Sequence, residues 1–436
     1  MVVLCFYQLI LFFLLPLLML VYLPYRVVIG KENYRRCFER FAFKLPPIKT
    51  ANEVLWCHAA SNGESLSLIN FAKRWQFHNP DGVIIFTSQT LTSVNLISKN
   101  LPDAVHIMAP YDHVFIWRRF IKFYQPTLLV CGESELWPGM ITASYQHGFE
   151  IWYLSARISD NSFKLWQWPI LKQLMRTILS RINKIYPQSA ADSIKLEKLL
   201  TKLEVKTKIG PRLNLKLAGG NAKEFKKCSK KIISANVLKQ RPVWLVASTH
   251  KGEEELVVQA VRQLSAQMPE LLTILVPRHP RRREEILAII RAKQLTVAVR
   301  SAGEAIKSST NIYLADTVGE LMGFYQQFDL ALVAGSLKAE IGGHNIIEAI
   351  NSNCLPLVGP YNENFNYLIA PLAASGLIDQ VATSSDIADR VSYWLNHKNQ
   401  REQRLKQMQQ WLETEQMQHQ EVLAKLLSDL SNSKFQ

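Results

Sequence analysis

The sequence predicts an α/β protein: two Rossmann-like domains facing a cleft, with an apolar helix in front of them. Three observations carry this. After Pro46-Pro47, short β-rich runs alternate with longer stretches of helical character, the rhythm of βαβ units. That rhythm breaks in a Lys-rich stretch between about 202 and 240 and restarts after Arg241-Pro242. Residues 1–25 contain no charged side chain.

The apolar start is long enough to cross a bilayer, which takes ~20 residues, and Pro16 does not forbid a helix in lipid. It lacks the basic start and small-residue cleavage site of a signal peptide. Residues 1–25 therefore read as a transmembrane anchor. Arg26, Lys31, Arg35, Arg36, Arg40, Lys44 and Lys49 follow, against Glu32 and Glu39. By the positive-inside rule the bulk of the chain lies on the cytoplasmic side. With Tyr25, Tyr34, Phe38, Phe41 and Phe43, the cluster is a surface for anionic lipid headgroups, a plain flank of the anchor, or both at once.

Composition narrows the class. Apolar residues are 48% and charged residues 20% of the 436, which excludes disordered and collagen-like chains. A mean hydropathy of −0.02 excludes a polytopic membrane protein. The net charge of +15 calls for an anionic partner: nucleic acid, anionic lipid or a phosphorylated ligand. Six cysteines (5, 37, 57, 131, 228, 354) lack metal-ligand spacing and read as reduced, buried small hydrophobes, as in a cytosolic protein.

The first half carries strand-like runs at Val54–His58, Val83–Thr87, Thr127–Cys131, Glu150–Leu154 and Ile185-Tyr186, with helical stretches such as Ser65–Gln76 and Phe115–Tyr124 between them. The second half carries Val243–Ala247, Leu271–Val276, Asn311–Leu314, Asp329–Ala334 and Cys354–Val358. The domains are thus 26–215 and 241–400, joined by a linker over 216–240. Leu405, Met408, Leu412, Val422, Leu423, Leu426, Leu427 and Leu430 recur at helical spacing, giving an amphipathic helix over 401–436 that packs on the body.

The polar motifs fall at strand ends, where ligands bind in such sheets. His58-Ala-Ala-Ser61-Asn-Gly63-Glu64 follows the first strand. Gly63 permits a tight turn, and Glu64 is placed either as a general base or as a helix cap. Gly132-Glu133-Ser134-Glu135-Leu136-Trp137-Pro138 follows the third; one of its acids can orient a base, and Trp-Pro implies a packed site. In the second half, Ser248-Thr249-His250 precedes Glu253-Glu254-Glu255, and backbone amides there can bind phosphate. Pro277-Arg278-His279-Pro280 holds an arginine where it can meet phosphate. Asp316-Thr317-Val318-Gly319-Glu320 and Gly342-Gly343-His344-Asn345-Ile346-Ile347-Glu348 complete the set. In the last, a glycine loop opens a helix, and Glu348 can take ribose hydroxyls. No GxGxxG or Walker loop is present, so neither a dehydrogenase nor an NTPase is indicated.

These blocks, in this order, resemble the 3-deoxy-D-manno-oct-2-ulosonic acid (Kdo) transferases of Gram-negative lipopolysaccharide synthesis. The blocks are HAASNGE, APYD at 109–112, ESELWP, SARIS at 155–159, ASTHKGEEE, VPRHP, DTVGEL, GGHNIIEA and GPYNENF. The resemblance implies a GT-B fold and an inverting transfer without metal or other cofactor. It implies CMP-Kdo as donor and a lipid A precursor (lipid IVA) as acceptor at the inner face of the inner membrane, with no nucleic acid partner. Residues 26–215 would bind the acceptor and 241–400 the donor. Glu64 takes the general-base position, and Glu133 and Glu135 the region of a second essential carboxylate. Ser248, Thr249, Pro277, Arg278, Val318, Gly319, Glu320, Gly342, Gly343, Asn345, Ile346, Ile347 and Glu348 match donor-binding segments. Arg278 would contact the donor, the helix opening at Gly342–Asn345 would face its phosphate, and Glu348 would hold ribose.

The chain departs from the family in three places. A Gly-Asn-x-Lys motif whose lysine assists the leaving group reads Gly210-Pro211-Arg212-Leu213-Asn214, so Arg212 or Lys216 would stand in as the catalytic cation. The usual Trp-Pro-Asn is Trp137-Pro138-Gly139, and the usual Asn-Ala-Arg is Ser155-Ala156-Arg157. Two other readings stay open: another GT-B enzyme, such as a nucleotide-sugar 2-epimerase or a transferase with a different donor or acceptor, and a basic membrane-tethered protein without catalysis.

Overall fold

The computed structural model describes residues 2–219, 232–234 and 241–432. Most of the linker expected over 216–240 lies outside these residues, as does Cys228. The chain forms two compact units, one of Met1–Gly220 with Glu415–Gln436, the other of Asn221–Thr414. The carboxy-terminal helix starts at Lys398 and runs unbroken to Asn432, so its first part belongs to the second unit and its last part to the first.

The first unit is built on seven parallel strands: β1 (Val54–Ala59), β2 (Val83–Ser88), β3 (Val105–Met108), β4 (Leu128–Gly132), β5 (Glu150–Ala156), β6 (Lys184–Pro187) and β7 (Lys208–Ile209). Their order is β3-β2-β1-β4-β5-β6-β7. Helices cover both faces, so strand residues are buried whichever way they point. Along β1, Val54 and Trp56 enter one core layer while Leu55, Cys57 and Ala59 enter the other, the period of two that a pleated strand imposes. Leu423, Leu426 and Leu427 of the carboxy-terminal helix close the second of these layers.

The second unit repeats the plan with β8 (Val243–Thr249), β9 (Leu272–Pro277), β10 (Val297–Val299), β11 (Ile312–Leu314), β12 (Leu330–Val333), β13 (Leu355–Val358) and β14 (Asp379–Gln380). Its order is β10-β11-β9-β8-β12-β13-β14, again all parallel. Each sheet has one point where successive connections leave in opposite directions: between β1 and β4, and between β8 and β12. A crevice opens there beyond the carboxyl ends of the strands.

The amino-terminal helix spans Val2–Val28. Pro16 lies inside it, and a π-helical turn follows at Leu18–Tyr22. Leu4 and Leu23 are buried in the core of the first unit, with Val3, Tyr7 and Leu15 packed against it. Phe6, Leu9, Phe13, Leu17 and Leu20 face outward. Cys5 is also exposed and Cys37 only half-buried, unlike buried Cys57, Cys131 and Cys354, because position 5 falls on the outward face.

Two of the arginines beyond this helix are engaged by groups of the first unit. Arg40 is 3% exposed, ion-paired to Glu32 at 2.9 Å and donating to the carbonyls of Gln89 and Ala109. Arg36 grips Glu39 at 2.8 Å and donates to the His106 carbonyl. Arg40 is an internal strut, and Arg36, still partly exposed, has its guanidinium engaged by these partners.

Asp112, half-buried, ties three elements together. Its Oδ1 accepts from the Met140 amide (2.9 Å) and the Trp117 indole (3.0 Å). Its Oδ2 accepts from the Gly139 amide and the Tyr7 hydroxyl, both at 2.9 Å. The carboxylate thus caps the helix Pro138–His147 and holds the amino-terminal helix. Burial pushes its pKa up to about 6 against the pull of these donors. The approach is close: a Cβ on Gly139 would lie 2.4 Å from the Asp112 carbonyl oxygen, which accounts for glycine after Trp137-Pro138. We expect Gly139→Ala to lower stability by about 1–3 kcal/mol, read as a lower thermal midpoint. An unchanged midpoint would show that the contact relaxes.

Candidate functional site

The two acidic motifs of the first unit follow β1 and β4, the neighbours at its switch point. Beyond β1, Ser61 caps the helix Asn62–His78 in a reciprocal capping box. Glu64 Oε2 accepts from the amides of Ala60 (2.8 Å) and Ser61 (2.9 Å), and the Ser61 hydroxyl accepts from the Glu64 amide. Capping and catalysis do not exclude each other here, because the cap uses Oε2 and not Oε1. Gly63 sits in the first helical turn rather than in a tight turn of its own.

Beyond β4 the chain turns sharply at Glu133, whose φ is +43°. This left-handed conformation is uncommon outside glycine. It is held by the Glu133 amide donating to Leu154 O and the Arg157 amide donating to Glu133 O. The turn buries the Glu133 side chain, 5% exposed, where Lys216 Nζ meets its Oε1 at 2.6 Å. Glu135 lies two residues on. Its Oε2 accepts from the Trp137 indole at 2.7 Å. Burial, then the nearby charge of Glu64, pushes its pKa up to about 7; the Trp137 bond opposes this and Glu133 adds to it. The three carboxylates therefore share one electrostatic neighbourhood.

His58, the penultimate residue of β1, lies beneath them, with its Nε2 3.8 Å from Glu135 Oε2. Burial drives its pKa down to about 3, so it is a neutral imidazole at physiological pH. Its Nδ1 bonds Thr87 Oγ1 at 2.8 Å, which also accepts from the Trp56 indole. The Trp137 ring packs edge-on against His58.

Of the two cations that could replace the family lysine, Lys216 stands beside the acids. Arg212 is turned away, 3.7 Å from Glu415 of the carboxy-terminal helix, while its carbonyl faces His419. Lys216 follows a short turn in which Asn214 Oδ1 accepts from the Lys216 amide.

In the second unit, Ser248 has φ +60° at an irregularity in the β8–β9 pairing, and Thr249 is fully buried. Glu253, also fully buried, accepts from the amides of His250, Gly335 and Leu337 and so fastens the β8 loop to the β12 loop. Pro277 ends β9, and the exposed Arg278 after it places its charge near His250, His344 and Glu348. Gly342 and Gly343 have φ of +80° and +86°. Two successive residues in this region cannot begin a right-handed helix, so the helix starts at Ile347, not at Gly342–Asn345, and runs only to Asn351. The Asn345 side chain accepts from the Ile347 amide. Ile346 and Ile347 are buried in the core, so their side chains do not line the site. Glu348 is largely buried, which raises its pKa, with Arg278 opposing.

Val318, Gly319 and Glu320 are less closely tied to this group. Val318 and Glu320 line a cavity of about 570 Å³ with Arg300, Tyr313 and Thr317, and Glu320 is ion-paired to Arg300 at 2.5 Å. Gly319, with φ +87°, lets the chain turn between them.

Three histidines escaped the sequence reading as functional residues. His250 Nε2 and His344 Nε2 lie 2.9 Å apart, and His279 packs edge-on against His250. Burial, with neighbouring positive charge, lowers the pKa of His250, and that of His344 to about 4. The signal was present: a histidine occurs in each of three motifs that follow β8, β9 and β12.

Known proteins resemble this arrangement. The family model described as 3-deoxy-D-manno-octulosonic-acid transferase (kdotransferase) matches residues 35–218. A 3-deoxy-D-manno-octulosonic acid transferase of Rickettsia bellii is 31% identical, covering 90% of each chain. Among solved structures, a glycosyltransferase from Rickettsia africae aligns with a TM-score of 0.58 at 14% identity, over 88% of this chain and 99% of that one. The UDP-GlcNAc 2-epimerase of Neisseria meningitidis aligns with a TM-score of 0.54 at 13% identity, over 81% and 94%. These two establish the fold, that of GT-B enzymes.

The raised pKa of Glu135 has a stability signature. The folded chain binds this proton up to about pH 7 and the unfolded chain only to about 4.5. Stability therefore falls as pH rises through that window and stays reduced above it. Glu135→Gln keeps an acceptor for Trp137. It should stabilise the protein at pH 8 by up to about 3 kcal/mol, a gain that disappears below pH 4.5. Urea unfolding at the two pH values checks this; equal stability of variant and wild type at pH 8 contradicts it.

Proposed function

The chain belongs to the 3-deoxy-D-manno-octulosonic acid transferases, and from that premise we propose how its residues divide the reaction. It is a glycosyltransferase that moves Kdo from CMP-Kdo in lipopolysaccharide biosynthesis. In our reading the acceptor is a lipid A precursor, and the amino-terminal helix keeps the enzyme on the cytoplasmic face of the inner membrane. The observation that carries the reading is the gathering of Glu64, Glu133, Glu135 and Lys216 beyond β1 and β4.

Glu64 is the general base. Its Oε1, left over by the cap, takes the proton of the acceptor hydroxyl as that oxygen attacks the anomeric carbon of Kdo. The bond from that carbon to the CMP phosphate breaks on the opposite side, so the configuration inverts. Glu135, whose pKa burial and the charge of Glu64 push up to about 7, suits hydrogen bonding to the acceptor better than full proton removal. Glu133 anchors Lys216, which closes the Asn214-Leu215-Lys216 stretch and takes the place of the family lysine. In the second unit Arg278 meets the departing phosphate, and Glu348 holds ribose. Positive charge from these side chains and from loop amides serves where charge develops, and the reading calls for no metal.

The test is turnover by full-length protein in detergent, with CMP-Kdo made in situ and a tetraacylated lipid A precursor, read by mass. The expected product carries added Kdo. Glu64→Gln preserves the capping box, since glutamine fills that role as well, so it isolates the chemistry. We expect kcat to fall by about 10² or more with the fold intact; near-normal turnover refutes the base. Lys216→Ala should lower kcat roughly tenfold or more while Arg212→Ala changes it little. The reverse ranking would move the cation role to Arg212.

A further inference from the structure

An apolar helix that meets lipid carries polar side chains only where they find partners. The amino-terminal helix has an adjacent pair, Tyr7 and Gln8, and both find partners in the first unit. The Gln8 side chain accepts from the Val114 amide at 2.8 Å and donates to the Asp112 carbonyl at 3.4 Å. Tyr7 donates to the Asp112 carboxylate itself.

That carboxylate leads to the acid site. Of its four donors, the Gly139 and Met140 amides begin the helix that opens directly after Trp137-Pro138. The Trp137 indole in turn donates to Glu135. The path from Tyr7 to Glu135 thus runs through one carboxylate, one helix start and one indole. Little slack exists along it, since Gly139 leaves no room for a side chain against Asp112. Trp117, another Asp112 donor, also packs edge-on against Trp137. The APYD motif, which ends in Asp112, acquires a role here that base and donor chemistry left unassigned.

We propose that Tyr7 is a positioning residue of the transferase: by orienting Asp112 it sets the start of the helix Pro138–His147 and so holds Trp137 against Glu135. The proposal rests on the reading of Glu135 as part of the acceptor site. It makes the amino-terminal helix a structural part of the catalytic apparatus as well as an anchor.

The experiment compares Tyr7→Phe, which loses only the hydroxyl, with Gln8→Ala, which loosens the same helix end without touching the carboxylate. Both are made in the full-length protein in detergent. Two quantities are measured: hydrogen exchange of the amides at 139 and 140 by mass spectrometry, and steady-state kinetics with CMP-Kdo. For Tyr7→Phe we expect faster exchange at these amides and a kcat lowered roughly tenfold, with KM for CMP-Kdo unchanged. Gln8→Ala should leave both near wild type. Unchanged exchange in Tyr7→Phe overturns the proposal, as does an equal loss from the two variants, which would mean general docking of the helix. If wild type transfers no Kdo, the functional reading fails, while the exchange measurement still decides whether Tyr7 sets the helix start.

Discussion

A parallel sheet sends the carboxyl ends of all its strands to one edge. Every β-to-helix loop in each unit therefore emerges on the same side, and the reversal of strand order opens a crevice in the middle of that side. The chemistry of this chain follows from that constraint. β1 and β4 lie far apart in sequence, yet they are neighbours in the sheet, so the loops carrying Glu64 and Glu133–Glu135 converge. β8 and β12 do the same for His250 and His344 in the second unit.

Convergence of acids creates an electrostatic difficulty that the structure answers separately for each. Glu64 receives two backbone amides at a helix start. Glu133, almost wholly buried, receives a lysine ammonium. Glu135 receives an indole N–H, and burial beside Glu64 raises its affinity for protons. Three carboxylates of similar intrinsic acidity thereby acquire different characters: one a hydrogen-bonded acceptor, one a fixed counter-ion, one poised to exchange a proton near neutrality. The neutral His58 beneath them adds no charge of its own.

Much of this was legible in the residue order. The long apolar strands β1, β2, β4, β5, β8 and β9 are runs that helices on both faces require, and they fall where expected. β3, β7, β10 and β14 are two to four residues long, too short to establish a period, and exist because a neighbour pairs with them. At the site, Glu64, Glu133 and Glu135 were visible because acids at strand ends need explanation. The choice between Arg212 and Lys216 was legible but missed, because Asn214-Leu215-Lys216 keeps the Asn-x-Lys spacing four residues beyond Gly210; the turn at Asn214 then directs this cation inward and Arg212 to the carboxy-terminal helix. The late helix start at Ile347 was hidden, because glycine is compatible with a helix opening and only its φ reveals otherwise. Arg40, read as surface charge, proved internal because Glu32, eight residues before it, folds back upon it, while Arg36 stays partly exposed with its guanidinium on Glu39.

The seam between the amino-terminal helix and the first unit bears on how such an enzyme is handled. Removing an apolar leader is a routine way to make a membrane-associated protein soluble. Here Leu4 and Leu23 are part of the core, and Val3, Tyr7 and Leu15 pack on it. A chain shortened by its first 25 residues would present a raw apolar strip where those side chains had lain, and an Asp112 carboxylate short of one donor. Its solubility would suffer from the very cut meant to improve it. The outward-facing residues Phe6, Leu9, Phe13, Leu17 and Leu20 are the better targets, because exchanging them for polar side chains alters the outer face and leaves the seam closed.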